Sequence, residues 1–279
     1  MTTDDAGEPG GKRADRAADG RGILYPAALP TFHREPAAEP LATWVRWFWI
    51  PEWDLAPGRV SRQHVIAFPA SNLVVEQGLV ALSGPTTRRW HRDLTGRGWV
   101  VGAHLRPAAV PLLVDDPGSV RDDYRPLDLP DLHASVVAAM TGSGSPAERR
   151  SAAVTAYGDW LLAVAPEPDD HALLANAMAD AIDSDPEVLK VEHIAERLGV
   201  SPRTVQRLAR RYVGLPPAAM IRRRRLQEAA ERIRTDPSAD LAGVAAELGY
   251  ADQAHLAADF RTVLGLRPSD YRVGDRPAD

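Results

Sequence analysis

The chain has 279 residues, of which 44% are hydrophobic and 25% charged, so its composition is that of a soluble globular protein with room for two domains. It contains no cysteine, which excludes disulfides and thiolate chemistry and fits a cytoplasmic location. Residues 1–20 have no apolar run, so we expect a disordered tail and no signal peptide there. No segment approaches the roughly 20 apolar residues of a membrane span, and no membrane partner is expected.

The net charge of −5 conceals an uneven distribution along the chain. Residues 188–273 carry 15 Lys and Arg against 10 Asp and Glu, a net of +5, whereas residues 1–187 carry a net of −9. A basic block on an acidic chain indicates a polyanionic partner. The alternative is an arginine-rich helical surface that only faces water.

Short apolar runs separated by Pro, Gly and Asn predict strands in the N-terminal part. The predicted strands are Trp44–Ile50, His64–Pro69, Asn72–Glu76, Leu79–Leu82 and Gly98–Leu105. Many short strands with tight turns favour a barrel or a sandwich. We therefore predict a β-rich domain over residues 21–130.

Alanine-rich segments after residue 130 predict helices at 132–140 and 147–164, which form a helical linker over 131–167. An apolar stripe on the second of these helices either pairs across a homodimer or packs onto the β domain. The stripe comprises Ala153, Val154, Tyr157, Leu161 and Leu162. A further helix is predicted at about 171–183, and the remainder up to Arg272 is predicted to be helical.

Two segments of the C-terminal third match each other, residues 191–220 and 241–271. Each has a leading helix with apolar residues at i, i+3, i+4 and i+7, a glycine that ends it (Gly199 or Gly249), a second helix, and a closing Gly-Leu-x-Pro. Ser201 is the expected N-cap of the second helix in the first copy, and Asp252 in the second, whose turn is one residue longer. This is the plan of a helix-turn-helix, here present twice.

The outward residues of each second helix suit DNA. In the first copy the apolar stripe leaves polar side chains outside, and Arg and Gln read guanine and adenine edges in the major groove. The candidate contacts there are Arg203, Thr204, Gln206, Arg207, Arg210 and Arg211. A connecting helix at about 217–233 carries the run Arg222–Arg225, in which Arg222 and Arg224 are candidate phosphate contacts. These arginines alternatively pair with Glu228 or Glu231.

The second copy is chemically weaker, because alanines stand opposite Arg203, Gln206 and Arg207 when the copies are aligned. The remaining candidate contacts are Gln253, His255, Arg261 and Arg267. We expect the first copy to supply most base recognition and the second mainly to hold phosphate.

The segments IAERLGVSPRTVQRLARRYVGLPP (194–217) and AAELGYADQAHLAADFRTVLGLRPSDYR (245–272) resemble the AraC/XylS family of bacterial transcription regulators. The resemblance implies a DNA-binding domain over 168–273, followed by a tail at 274–279, in which two helix-turn-helix units enter successive major grooves of double-stranded DNA. Ala257, Ala258 and Asp259 depart from the family pattern, which often has a Ser-Arg type pair. RNA polymerase is a further partner to expect of such a regulator.

The N-terminal part is similar, more loosely, to the sensor-type domain of one AraC subgroup, through LATWVRWFWI (41–50), FPASNLVVE (68–76), LSGPTTR (82–88) and GWVVGAHLRPAA (98–109). This likeness implies a cupin-like β-barrel that binds a small-molecule effector or mediates dimerisation. The fold expected of the whole chain is therefore α+β and multidomain, with a cupin-like barrel and an all-α double helix-turn-helix domain.

Tryptophans are concentrated between residues 44 and 99. Trp47, Trp49, Trp90 and Trp99 are candidates for an apolar ligand pocket, or else they fill the core of a small barrel. The histidines show no His-x-His or His-x-x-x-His pair, so no metal and no cofactor is expected. No catalytic motif is visible, and no enzyme activity is predicted. The alternative is a metal-dependent cupin-type enzyme with a DNA-binding appendage, in which His64 and His104 would be ligands.

Overall fold

The structure, a computed structural model, describes residues 31–65, 68–88 and 90–272. The predicted tails at 1–20 and 274–279 lie outside these residues. None of the helices in the described part is both long and apolar enough to cross a membrane.

Antiparallel strands make up the N-terminal part. The described strands are β1 (Thr31–Pro36), β2 (Val45–Asp54), β3 (Val60–Val65), β4 (Asn72–Glu76), β5 (Val80–Ser83), β6 (Trp90–Thr95), β7 (Arg97–Leu105) and β8 (Tyr124–Leu127). They form a six-stranded sheet in the order β1-β2-β7-β4-β5-β8 and a two-stranded sheet of β3 and β6. The sequence predicts β4 with the observed bounds, but β3 begins four residues before the predicted strand. The polar strands β1, β6 and β8 are absent from the prediction because they have no apolar run.

Helices make up the rest of the described chain. They are α1 (Pro130–Thr141), α2 (Pro146–Val164), α3 (Asp170–Ser184), α4 (Val191–Leu198), α5 (Pro202–Tyr212), α6 (Pro217–Thr235), α7 (Leu241–Glu247), α8 (Gln253–Leu264) and α9 (Pro268–Arg272). Two 3-10 segments, Pro107–Leu112 and Pro117–Val120, follow β7. The predicted α+β organisation, with β structure first and a helical C-terminal region, is confirmed.

The apolar stripe of α2 packs on the protein's own sheet. Ala153, Tyr157 and Leu161 are almost fully buried. The Tyr157 ring meets Phe48 edge-on at 5.3 Å, and its hydroxyl donates a hydrogen bond of 2.7 Å to the Leu73 carbonyl. Ala153, Tyr157 and Leu161 therefore pack onto the β domain, and the prediction that the stripe pairs across a dimer is wrong for these three side chains. Leu162 of the same stripe is exposed, and Val154 is half-buried.

Two separate hydrophobic cores divide the molecule. The first core runs from Leu41 to Ile221 and includes the sheet, α1, α2, α3 and the helices α4 and α5 of the first helix-turn-helix unit. The second core runs from Leu226 to Tyr271 and belongs to the second unit. Helix α6 is the element that enters both, because its first half packs in one core and its second half in the other. The first unit is thus packed together with the β region.

Polar contacts reinforce this junction between the sheet and α3. Asp183 and Asp180 of α3 form ion pairs with Arg46 and Arg106 of the β region. The buried Asn176 side chain accepts a hydrogen bond of 2.9 Å from the Ala108 amide. These bonds fix α3, and with it the first unit, against the end of the sheet.

Candidate nucleic-acid interface

Each helix-turn-helix unit has the turn that the sequence predicts. Gly199 and Gly249 both have left-handed backbones, with φ of +64° and +72°. Ser201 caps α5 by accepting a hydrogen bond of 3.1 Å from the Thr204 amide. Asp252 caps α8 by accepting one of 2.7 Å from the His255 amide. These caps orient the amino ends of α5 and α8, where base contacts are made in helix-turn-helix proteins.

Helix α5 presents one polar and one buried face. Val205, Leu208, Ala209 and Tyr212 are buried in the first core, as predicted. The exposed residues of the helix include Arg203, Gln206, Arg207, Arg210 and Arg211. The Thr204 side chain is half-buried, and its hydroxyl lies 3.0 Å from that of Ser201. The predicted division of α5 into a buried apolar face and an exposed face rich in arginine is therefore confirmed, and DNA recognition by the exposed face stays a prediction.

Helix α8 of the second unit has a smaller polar face. Leu256, Phe260 and Val263 are buried in the second core, and Gln253 and His255 are exposed at the amino end. The His255 ring packs edge-on against Tyr250 at 5.2 Å. Two further predicted contacts, Arg261 and Arg267, are also exposed, near the carboxyl end of α8 and before α9.

The arginine run of α6 differs from the prediction. Arg224 is 1% exposed, and it donates a hydrogen bond of 2.9 Å to the Val188 carbonyl and pairs with Glu228. A side chain so deeply buried cannot reach phosphate, so the prediction for Arg224 is wrong, and its alternative, the Glu228 pair, is what forms. Arg222 is half-exposed but engaged with Asp259 through a hydrogen bond of 2.8 Å. Neither side chain is free to act as a simple phosphate contact.

Asp259 is a residue whose importance the sequence analysis missed. It is 1% exposed, and a buried carboxylate requires a cationic partner, which Arg222 supplies. A signal was present in the repeat, because the alignment of the two copies puts Asp259 opposite the buried Leu208. The apolar spacing of α8 likewise places it beside Phe260 on the inward face.

The candidate tryptophans do not line one pocket. Trp47 and Trp49 share one face of β2, where Trp47 stacks on His104 at 4.3 Å. Trp99 lies opposite Glu52 in the register of β2 and β7, and therefore on the other face, with the first core. It borders an open cleft of about 560 Å³ beside Trp53. The side chain of Trp90 lies outside the described part of the chain.

The histidine proposed as a metal ligand has a cationic environment. Burial and the nearby Arg46, Arg34 and Arg106 hold the pKa of His104 well below its usual range. Positive charge around a buried imidazole opposes the binding of a metal cation. No group of three His, Cys, Asp or Glu residues with metal-binding geometry occurs among the described residues, and the side chain of His64 lies outside them.

Two family models match separate parts of the chain. Residues 194–273 match a family model described as a helix-turn-helix domain, and residues 24–123 match one described as a domain of unknown function (DUF6597). The chain is 34% identical over 87 residues to the HTH-type transcriptional activator AarP of Providencia stuartii, an alignment that covers 31% of this chain and 64% of that protein. It is 33% identical over 87 residues to a putative AraC-like transcription regulator of Streptomyces antibioticus, which covers 31% of this chain and 28% of that protein.

Among solved structures, ToxT from Vibrio cholerae O395 aligns over 90% of this chain and 98% of its own, with 10% identity and a TM-score of 0.42. These alignments cover less than two thirds of the length of the curated relatives. Through the helix-turn-helix domain matched at residues 194–273, the chain is similar to AraC-type regulators of transcription.

Proposed function

We propose that this protein is a sequence-specific regulator of transcription that binds double-stranded DNA with two helix-turn-helix units in successive major grooves. In this proposal residues 168–273 bind DNA, residues 21–130 form a sensor-type domain, and residues 131–167 connect them. The relatives named above are transcription regulators, which supports this assignment. Regulation in the cytoplasm, without an enzymatic activity of the chain itself, is part of the same proposal.

The observation that carries the proposal is the exposed face of α5. Arg203, Gln206 and Arg207 lie at its capped amino end and point away from the first core. Arg is suited to guanine and Gln to adenine in the major groove. Arg210 and Arg211, one turn further on, suit the flanking phosphates.

The two units have unequal parts in this proposal. Helix α8 offers Gln253 and His255 at its amino end, but alanines occupy the positions that correspond to Arg203, Gln206 and Arg207 of α5. We assign base recognition mainly to the first unit. The second unit, with Arg261 and Arg267, holds the DNA backbone and lengthens the site.

The first experiment is in vitro selection of a duplex from a random library with the full-length protein. Binding of the selected and a scrambled duplex is then measured between 50 and 200 mM salt, a range in which several phosphate contacts weaken binding by orders of magnitude, about 10³-fold or more. A selected duplex that binds no better than the scrambled one, or a flat salt profile, contradicts the proposal.

The second experiment separates the two units with matched alanine variants. Arg207→Ala is expected to lose about 1–3 kcal/mol of discrimination between selected and scrambled duplex, whereas Gln253→Ala lowers affinity for both duplexes and leaves most discrimination intact. Arg59→Ala, in the exposed turn between β2 and β3, is the control that removes the same charge from the β region. Equal loss of discrimination from Arg207→Ala and Gln253→Ala contradicts the unequal assignment.

We also propose that the β region binds a small-molecule effector. The cleft beside Trp53 and Trp99 has a volume in the range of small-molecule sites. A thermal-shift screen of metabolites, repeated with Trp53→Ala, tests this proposal, and a ligand whose shift survives the substitution binds elsewhere. A homodimer and a contact with RNA polymerase remain proposals, which sedimentation and transcription in vitro with purified polymerase test.

The rival assignment, a metal-dependent enzyme, has no supporting observation in the described residues. Its test is metal analysis of the purified protein. Stoichiometric zinc, iron or manganese that is lost on His104→Ala or His64→Ala supports the enzyme over the regulator.

A further inference from the structure

The four consecutive arginines of α6, residues 222–225, which we call the arginine turn, each contact a different part of the molecule. Successive residues of a helix point about 100° apart, so four in a row face all sides. Arg222 reaches α8, and Arg225 lies over Tyr250 in the turn of the second unit. Arg223 reaches the loop after β5, and Arg224 reaches the connection between α3 and α4.

The arginine turn lies where α6 passes from one core to the other. Ile221 is the last residue of the helix in the first core, and Leu226 is the first in the second. The intervening turn carries no apolar side chain, so hydrophobic packing does not support it. Its polar contacts are what resist bending of α6 between the two helix-turn-helix units.

Arg223 and Arg224 hold the turn to the first core. The Arg223 guanidinium donates a hydrogen bond to the Thr86 carbonyl, and burial lowers its pKa to about 10. The group stays charged at neutral pH. Arg224 donates to the Val188 carbonyl at 2.9 Å and also pairs with Glu228, one turn further along α6. That pair spans the boundary between the cores.

Arg222 and Arg225 hold the second unit. Arg222 precedes the second core but bonds through Nε and Nη2 to the carboxylate of Asp259, which lies inside it. The hydrogen bond to Asp259 raises the pKa of Arg222. The Arg225 guanidinium lies 4.0 Å from the centre of the Tyr250 ring. Both contacts tie α8 and its turn to the part of α6 that lies between the cores.

We propose that the arginine turn fixes the angle between the two helix-turn-helix units. In this proposal Arg222 and Asp259 are positioning residues for DNA binding, and Arg222 does not bind phosphate. The DNA part of this inference rests on the function proposed above. Half-sites one helical turn apart, about 34 Å, are met together only when the two units keep a defined orientation. If the orientation of the two units varies, the effective concentration of the second unit at its major groove is lower.

Asp259→Asn gives opposite results under the two assignments. If Arg222 binds phosphate, removal of its acidic partner frees it, and binding tightens. If the pair positions the second unit, the selected duplex binds about tenfold more weakly. The probes are the duplex selected in vitro and versions of it in which the spacing between the half-sites is changed by one base pair. The wild type is expected to discriminate sharply between spacings, and Asp259→Asn and Arg222→Gln to discriminate poorly.

The salt dependence supplies a second criterion. Loss of a phosphate contact reduces the slope of log affinity against log salt by about one, and we expect this for Arg210→Gln but not for Arg222→Gln. Tighter binding by Asp259→Asn, or a reduced slope with unchanged spacing preference in Arg222→Gln, overturns the proposal. If a single variant fails to fold, the same measurements are made with the double variant Arg222→Gln and Asp259→Asn. The double variant leaves no unpaired buried charge.

A measurement without DNA keeps the inference separate from the proposed function. The chain has no cysteine, so Glu196→Cys on α4 and Ala246→Cys on α7, both exposed, give a unique pair of spin-label sites. The distance distribution is expected to be narrow in the parent and broad or shifted with Arg222→Gln, while Arg62→Gln in β3 leaves it unchanged. If the distance distribution is unchanged in both Arg222→Gln and Asp259→Asn, the proposal that the arginine turn fixes the angle between the units is refuted. Failure of the wild type to select any duplex refutes the proposed function alone.

Discussion

Gly214, two residues after the end of α5, offers a sharp test of the junction between the β region and the first helix-turn-helix unit. Its φ is +80°, and a Cβ atom added there would lie 2.4 Å from the Pro117 carbonyl oxygen. Its own carbonyl accepts hydrogen bonds of 2.6 and 3.2 Å from the Arg121 guanidinium. Alanine at this position must therefore push the 3-10 segment Pro117–Val120 away from the end of α5.

The magnitude follows from two contributions. A left-handed backbone costs an alanine about 1–2 kcal/mol. Displacement of the segment also weakens the hydrogen bonds from Arg121, and bonds from a charged group are each worth about 1.5–3 kcal/mol. We expect Gly214→Ala to lower the free energy of unfolding of the first core by about 3–4 kcal/mol. For a body of this size, each kcal/mol lowers the melting temperature by about 2–4 °C.

Gly58→Ala is the matched control. Gly58 has nearly the same φ, +79°, but nothing lies within 4 Å of its added Cβ. Gly58→Ala therefore measures only the free-energy cost of a left-handed backbone in alanine. Calorimetry gives the loss of stability, and hydrogen exchange localises it, with faster exchange expected in the end of α5 and the Pro117–Val120 segment but not in α8. Equal destabilisation by the two substitutions, or faster exchange only in α8, refutes the reasoning.

Three further predictions concern single groups. Ser201→Ala removes the cap of α5 and is expected to cost about 1 kcal/mol, measured by denaturant unfolding, with Ser201→Asp as the variant that keeps the cap. His104 is buried with a lowered pKa, so the folded state binds fewer protons than the unfolded state below about pH 6.5. Stability should therefore fall on acidification from that pH by at most about 1.4 kcal/mol per pH unit, a slope that His104→Gln abolishes. Burial alone would raise the pKa of Glu76, but hydrogen bonds from Arg92 and Tyr124 outweigh it and the pKa is lowered. The ionised Glu76 therefore stabilises the folded state above about pH 4.5, and this contribution is lost as the pH falls below that value. When melting temperature is measured against pH, Glu76→Gln should reduce the fall seen at acid pH.

The repeated helix-turn-helix pattern could be located from the sequence because its signals are local. Glycine at the end of the first helix, a capping Ser or Asp, and apolar spacing each depend on residues within one or two turns. The same locality explains the correct division of α5 into buried and exposed faces. It also explains the missed strands β1 and β6, whose polar sequences become strands only through pairing with β2 and β3.

The arginine turn shows what local patterns leave open. An Arg-rich helical segment is equally compatible with phosphate and with acceptors in the same protein, and the choice depends on what lies opposite each side chain. For Arg224 the acceptor is a backbone carbonyl 36 residues away, at Val188, and for Arg223 it is one 137 residues away, at Thr86. No spacing rule encodes such pairs. Asp259 was different, because the alignment of the two copies already placed a charged residue at a buried position.

These observations change how the two units are understood to cooperate. The first unit shares its core with the β region, so the body that carries α5 includes the effector domain we propose. The second unit is joined to this body through α6 and has few groups of its own for reading bases. The contribution of the second unit to specificity then depends on its orientation relative to the first unit. Arg222 and Asp259 influence that orientation, although neither residue needs to contact DNA. The hydrogen bond from Arg223 to the Thr86 carbonyl joins the β region to the residue next to Arg222 in the arginine turn, so the β region and the second unit are both attached to the same turn of α6.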